Sequence, residues 1–161
     1  MVSEASWNEL SANMKTKDKD VIESIIKRAT VCRIALSESN VPYIVPLSFG
    51  YKDNCLYFHS APEGRKIDII KQNNNVCFEL DIDCELVKKP EDPCSWNMKY
   101  YSVIGFGKAF FVDSPEEKRR ALNIIVEHYS SNSHEYSANK INKVAIIKVE
   151  IDSMTGKKSG Y

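Results

Sequence analysis

Apolar positions along this chain change their spacing several times, and each change marks an element. Over residues 18–29 Val21, Ile22, Ile25, Ile26 and Ala29 recur at three- and four-residue intervals, the signature of one helix face. Alternating or continuous apolar runs then predict strands over residues 31–36, 43–51 and 55–60, joined by polar turns at 37–40 and 52–54. Ser60-Ala61-Pro62-Glu63 has the S-x-x-E spacing of a capping box and predicts a helix that stops at the asparagine run 73–75. Residues 76–81 form the next expected strand, and residues 84–97 a strand end followed by a loop. Residues 99–113 form a long strand in which Gly105 and Gly107 are expected to relieve a bend or bulge. Ser114-Pro115-Glu116-Glu117 opens a third helix, reaching Tyr129, with Ala121, Leu122, Ile125, Val126 and Tyr129 on one face. A polar stretch, 130–142, precedes a last strand over 143–151.

Short turns between successive strands favour antiparallel pairing. Six or seven strands with three helices therefore predict a mainly β domain, an antiparallel barrel with helices at its ends or flanks. Residues 1–17 are polar and irregular apart from Trp7, Leu10 and Met14, which marks them as an N-terminal arm before one domain spanning 18–161.

Charge narrows the partners. The 161 residues hold 22 Lys plus Arg and 22 Asp plus Glu, so the formal net charge is zero. That balance lacks the basic excess of a nucleic-acid or acidic-membrane binder, and any anion site must be local. Five cysteines, an odd number with no C-x-x-C pair, suggest reduced thiols. No apolar run approaches a membrane span and no secretory leader is evident, so a cytoplasmic protein is expected. Dinucleotide, nucleoside-triphosphate, zinc-protease and serine-hydrolase motifs are all missing, and no metal site is expected.

One stretch does carry chemistry. Residues 58–66, Phe-His-Ser-Ala-Pro-Glu-Gly-Arg-Lys, join a strand end to a helix start. Backbone N–H groups and the helix dipole favour anions there, yet Arg65 and Lys66 put two cations in the first turn. A phosphate monoester between them resolves the conflict; solvent-exposed helix cations are the plainer alternative. His59 beside this site either orients or protonates a ligand or is structural. His128 and His134 are expected at the surface. Pro46 interrupts a strand-like run, marking an edge or a break whose unused backbone groups can face a planar ligand.

Three segments together, Pro42-Tyr43-Ile44-Val45-Pro46-Leu47-Ser48-Phe49, Leu56-Tyr57-Phe58-His59-Ser60-Ala61 and Gly64-Arg65-Lys66, resemble the FMN-binding split-barrel superfamily of pyridoxamine 5′-phosphate oxidase-like proteins. The strand 101–109 and Thr155-Gly156-Lys157 resemble its nitroimidazole-resistance branch. The resemblance implies a split β-barrel homodimer with FMN in the subunit interface. By position it implies Val45, Pro46, Leu47 and Ser48 along the isoalloxazine ring, His59, Ser60 and Ala61 at the next strand end, and Arg65 and Lys66 on the phosphate. Ser102 lies on the strand where pyridoxamine-phosphate oxidases present a glutamine to the flavin. Those oxidases carry arginine and lysine where Ile44 and Phe49 stand here, and their C-terminal tryptophan and arginine have no counterpart in 151–161. Vitamin B6 oxidation is thereby disfavoured. The implied activity is an FMN-dependent oxidoreductase passing electrons from a donor such as a nicotinamide to a small aromatic or nitro compound, with His59 as its catalytic residue. The alternative is a non-catalytic flavin binder or sensor.

Overall fold

The computed structural model describes residues 14–130 and 135–161; Trp7, Leu10 and His134 lie outside them. In chain order the elements are β1 (Lys15–Thr16), α1 (Lys19–Arg28), β2 (Cys32–Glu38), β3 (Val41–Leu47), β4 (Gly50–Lys52) and β5 (Cys55–Ser60). There follow α2 (Arg65–Gln72), β6 (Asn75–Val87), a 3₁₀ turn (Pro93–Ser95), β7 (Asn97–Val112), α3 (Pro115–Tyr129), α4 (Ala138–Asn142) and β8 (Ala145–Ser159).

The eight strands form one sheet in the order β3-β2-β6-β7-β8-β5-β4, with β1 paired to β8. β2–β3, β4–β5, β5–β8 and β1–β8 are all antiparallel. The fold is mainly β, antiparallel, with flanking helices, as expected, and the sheet has two ends rather than closing into a ring. Eight strands replace the expected six or seven for two reasons. The chain leaves the ladder at Ser48-Phe49, splitting one predicted strand into β3 and β4, and the two-residue β1 precedes the first helix.

The chain divides into two compact units. Among the described residues the first holds those up to Ala29, Glu79–Ile104 and Met154–Tyr161. Its helix α1 starts where Asp18 accepts hydrogen bonds from the Asp20 and Val21 amides at 3.0 and 3.3 Å. The predicted apolar face of α1 is buried. Gly156 leaves little room beside Thr16 and α1: a β-carbon there would stand 3.0 Å from Thr16 and 3.2 Å from Ile22. Thr155-Gly156-Lys157 thus lies inside β8, not in a tail, and pairs with β1. Its turn-like composition hid the strand. At the C-terminus Tyr161 stacks on Tyr101 with ring centroids 4.8 Å apart.

The second unit, Thr30–Phe78 and Gly105–Ser153, contains the candidate chemistry. Ile34, Leu36, Leu56, Phe58, Ile67, Ile69, Ile125, Ile147 and Val149 are among its buried side chains. α3 starts as its sequence predicts, with Ser114 accepting from the Glu117 amide at 3.1 Å and proline in the first turn. Gly105 and Gly107 serve close approach. A β-carbon on Gly105 would meet the Phe78 ring at 2.2 Å, and one on Gly107 the Glu150 carbonyl at 2.2 Å. The five-residue α4, too short to show a periodic face, interrupts the segment read as irregular.

Candidate functional site

The site begins where β5 hands the chain to α2. β5 stays in register with β8 up to Ser60, which pairs with Ala145. Ser60 is held in the ladder and does not cap the helix, which corrects the capping-box expectation. The cap is Gly64, at φ 120°, a conformation that favours glycine, and no side chain bonds to the first turn. The Ile67 and Asp68 amides donate to the Gly64 carbonyl at 2.9 and 3.2 Å, which leaves the Arg65 and Lys66 amides available to an anion. Ser60 is 7% exposed, and its Oγ is buried without a hydrogen-bond partner among the described residues. A buried hydroxyl with no partner is costly, and a ligand oxygen would satisfy it. Ala61 and Arg65 are exposed; Lys66 is half-buried, with no ion pair among the described residues.

Arg65 is engaged within the protein. Its guanidinium lies 4.9 Å from the centre of the Tyr43 ring and 4.0 Å from Glu38. These contacts tie the start of α2 to the β2–β3 hairpin. Sequence reasoning missed Glu38 and Tyr43, because partners across a hairpin carry no local pattern.

β3 ends the sheet on one side, as Pro46 led us to expect, and Pro46 stands opposite Arg33. Pleating puts Ile44, Pro46 and Ser48 on one face, all exposed, and Val45 and Leu47 on the other, half-buried. Ile44 is 60% exposed. The chain then turns at Ser48-Phe49 into β4, where Gly50 pairs with Tyr57. This corner carries the end of β3 to β5, two residues along that strand from His59. The second unit thus joins β3, the end of β5 and the start of α2. Ser102 is buried on β7 in the first unit.

His59 is exposed, opposite Ile146, and shares its strand face with Tyr57. Tyr57, Phe110, Arg120, Lys148 and Glu150 help line a nearby cavity of about 250 Å³. Burial pushes the Tyr57 phenol and the Cys55 thiol up from their ordinary values. A 2.7 Å hydrogen bond from Lys148 to Glu150 holds the ammonium above its usual range. Tyr57 and Lys148 therefore present protonated donors near neutral pH. His128, expected at the surface, is instead half-buried, its ring 4.3 Å from that of Phe49. Phe49 is fully buried, so its side chain belongs to the core.

Comparisons with known proteins bear on the family and the fold. Residues 18–158 match the family model described as pyridoxamine 5′-phosphate oxidase. A solved structure from Bacteroides thetaiotaomicron, a candidate 5-nitroimidazole antibiotic resistance protein, is 40% identical with a TM-score of 0.80. That match covers 90% of this chain and 86% of the other. A flavocytochrome from Azotobacter vinelandii shares the fold at a TM-score of 0.78 and 17% identity, over 99% of this chain and 73% of its own. An FAD and heme binding protein from Mycobacterium smegmatis does so at 0.80 and 13%, over 91% and 74%. Among curated proteins, an uncharacterized Rhizobium meliloti protein is 27% identical over 67 residues, 42% of this chain and 44% of that protein. No helix among the described residues is long and apolar enough to cross a membrane.

Proposed function

Since the chain belongs to the pyridoxamine 5′-phosphate oxidase family, we propose that it is an FMN-binding oxidoreductase that reduces a small aromatic or nitro compound. The β5–α2 corner carries the reading: the Arg65 and Lys66 amides, the half-buried Lys66 side chain and the partnerless buried hydroxyl of Ser60 are the groups that would hold a phosphate oxygen. Lys66 supplies a compact charge and Arg65 a second cation already oriented by Tyr43. Val45, Pro46, Leu47 and Ser48 form the strand beside the isoalloxazine ring. Bound flavin supplies the two-electron chemistry, with a nicotinamide as electron donor. His59 hydrogen-bonds or protonates the acceptor, which its exposed position permits. The nitro acceptor is suggested by the 5-nitroimidazole resistance ascribed to the Bacteroides protein.

The unit of function is a homodimer. Ile44, Phe106 and Phe110 are 60%, 56% and 41% exposed, an unusual load of large apolar side chains for strands of a single chain. A second copy would cover them and complete the flavin pocket.

The test is direct. Purified protein should be yellow, release FMN identifiable by mass, and sediment at twice the 18.3 kDa of one chain. A colourless protein that takes up neither FMN nor FAD would overturn the reading.

A further inference from the structure

In the β2–β3 ladder Cys32 stands opposite Leu47. Continuing that register sets Val31 opposite Ser48 and Thr30 opposite Phe49. The ladder stops before either pair, and the hydroxyl of Tyr129 takes over. The Phe49 amide donates to Tyr129 Oη at 2.9 Å, and Tyr129 Oη donates to the Thr30 carbonyl at 2.9 Å. One side-chain oxygen thus bridges the backbone groups of two strands that have separated. Burial pushes the phenol above its ordinary range, which keeps the proton that Thr30 accepts.

The same helix holds the corner at two further points. His128 packs on the Phe49 ring, and the Ile124 carbonyl lies against Gly50. Ser48 is consequently caught between the last ladder pair, Cys32–Leu47, and the tyrosine bridge at Phe49. Neither end of that one-residue span can shift without breaking hydrogen bonds.

We propose that Tyr129 is a positioning residue for the ligand-facing strand, setting Ser48 through the Thr30–Tyr129–Phe49 bridge. The proposal rests on the flavin reading of β3. The hydroxyl spaces the strands so that β3 departs toward β4 with Ser48 held in place, and a phenylalanine would keep the packing but lose the bridge.

The experiment compares wild type with Tyr129→Phe and with Ile25→Val, a truncation in the buried face of α1 that lowers stability and leaves the tyrosine bridge in place. Tyr129→Phe should weaken FMN binding about tenfold, the size carried by one or two lost hydrogen bonds. It should also shift the flavin midpoint potential and speed amide exchange at Phe49 and Gly50 before FMN is added. Ile25→Val should lower the melting temperature and leave FMN affinity and potential alone. If wild type binds FMN and Tyr129→Phe binds it equally well at the same potential, the positioning role is overturned while the flavin reading stands. If wild type takes up neither FMN nor FAD, the flavin reading falls and this role with it. Should Tyr129→Phe fail to fold, FMN added to ¹⁵N-labelled wild type decides, since the Phe49 and Gly50 amides must shift. Their constancy overturns the proposal.

Discussion

A β-carbon on Gly50 would stand 2.5 Å from the carbonyl oxygen of Ile124, so α3 and β4 meet backbone to backbone. Nothing larger than hydrogen fits unless the helix moves. Gly50→Ala should therefore destabilise the protein by about 1–3 kcal/mol, the usual cost of overpacking. Urea denaturation followed by circular dichroism measures it, and an unchanged midpoint would show that the helix yields freely.

Ser60→Ala separates ligand binding from stability, because the two should move in opposite directions. Removing a buried hydroxyl that lacks a partner should leave the flavin-free protein as stable or stabilise it by about 1 kcal/mol. The same change should weaken FMN binding. A loss of stability without flavin would mean that Ser60 already bonds within the protein.

Lys66→Gln should raise the FMN dissociation constant about 10- to 100-fold, in keeping with a hydrogen bond to a charged group. Arg65→Ala should cost less affinity and some stability, since Arg65 also holds Tyr43 and Glu38. Titration of the flavin-free variants checks both. Normal binding after replacing the two cations together would remove the phosphate assignment.

His59→Ala is expected to keep the flavin and lower turnover about 100-fold or more, the range for loss of a general acid. Stopped-flow reduction and reoxidation with a nitroaromatic acceptor distinguish the steps. Turnover equal to wild type would exclude His59 from the mechanism.

Alkaline pH should destabilise the fold. Cys55, Tyr57 and Tyr129 are shifted upward by burial, and Lys148 by its bond to Glu150. Each raised group contributes stability that is fully present below its unfolded pKa and is lost as pH rises through its folded one. With unfolded values of about 8.5 for thiols and about 10 for phenols and lysines, the melting temperature should fall progressively above pH 8.5. Tyr129→Phe should show a shallower fall, and an equal slope would mean that Tyr129 contributes nothing to it.

Local chemistry was legible in the sequence wherever one segment decides the outcome. The apolar face of α1, the Ser114 cap of α3 and the edge position announced by Pro46 all depend on residues within a turn or two of each other. The cation pair at the start of α2 was legible for the same reason, since dipole and side-chain charge are set within one turn. Tertiary structure alone decided which distant groups meet. Strand pairing keeps Ser60 in the ladder, which strips the α2 cap that its S-x-x-E spacing suggests. Packing of α3 brings Tyr129 to Thr30 and Phe49, 99 and 80 residues away, and Gly50 permits it only because it lacks a side chain. Periodicity and capping record short-range sterics and hydrogen bonding, whereas a contact across the fold exists only once burial has chosen which surfaces close on each other.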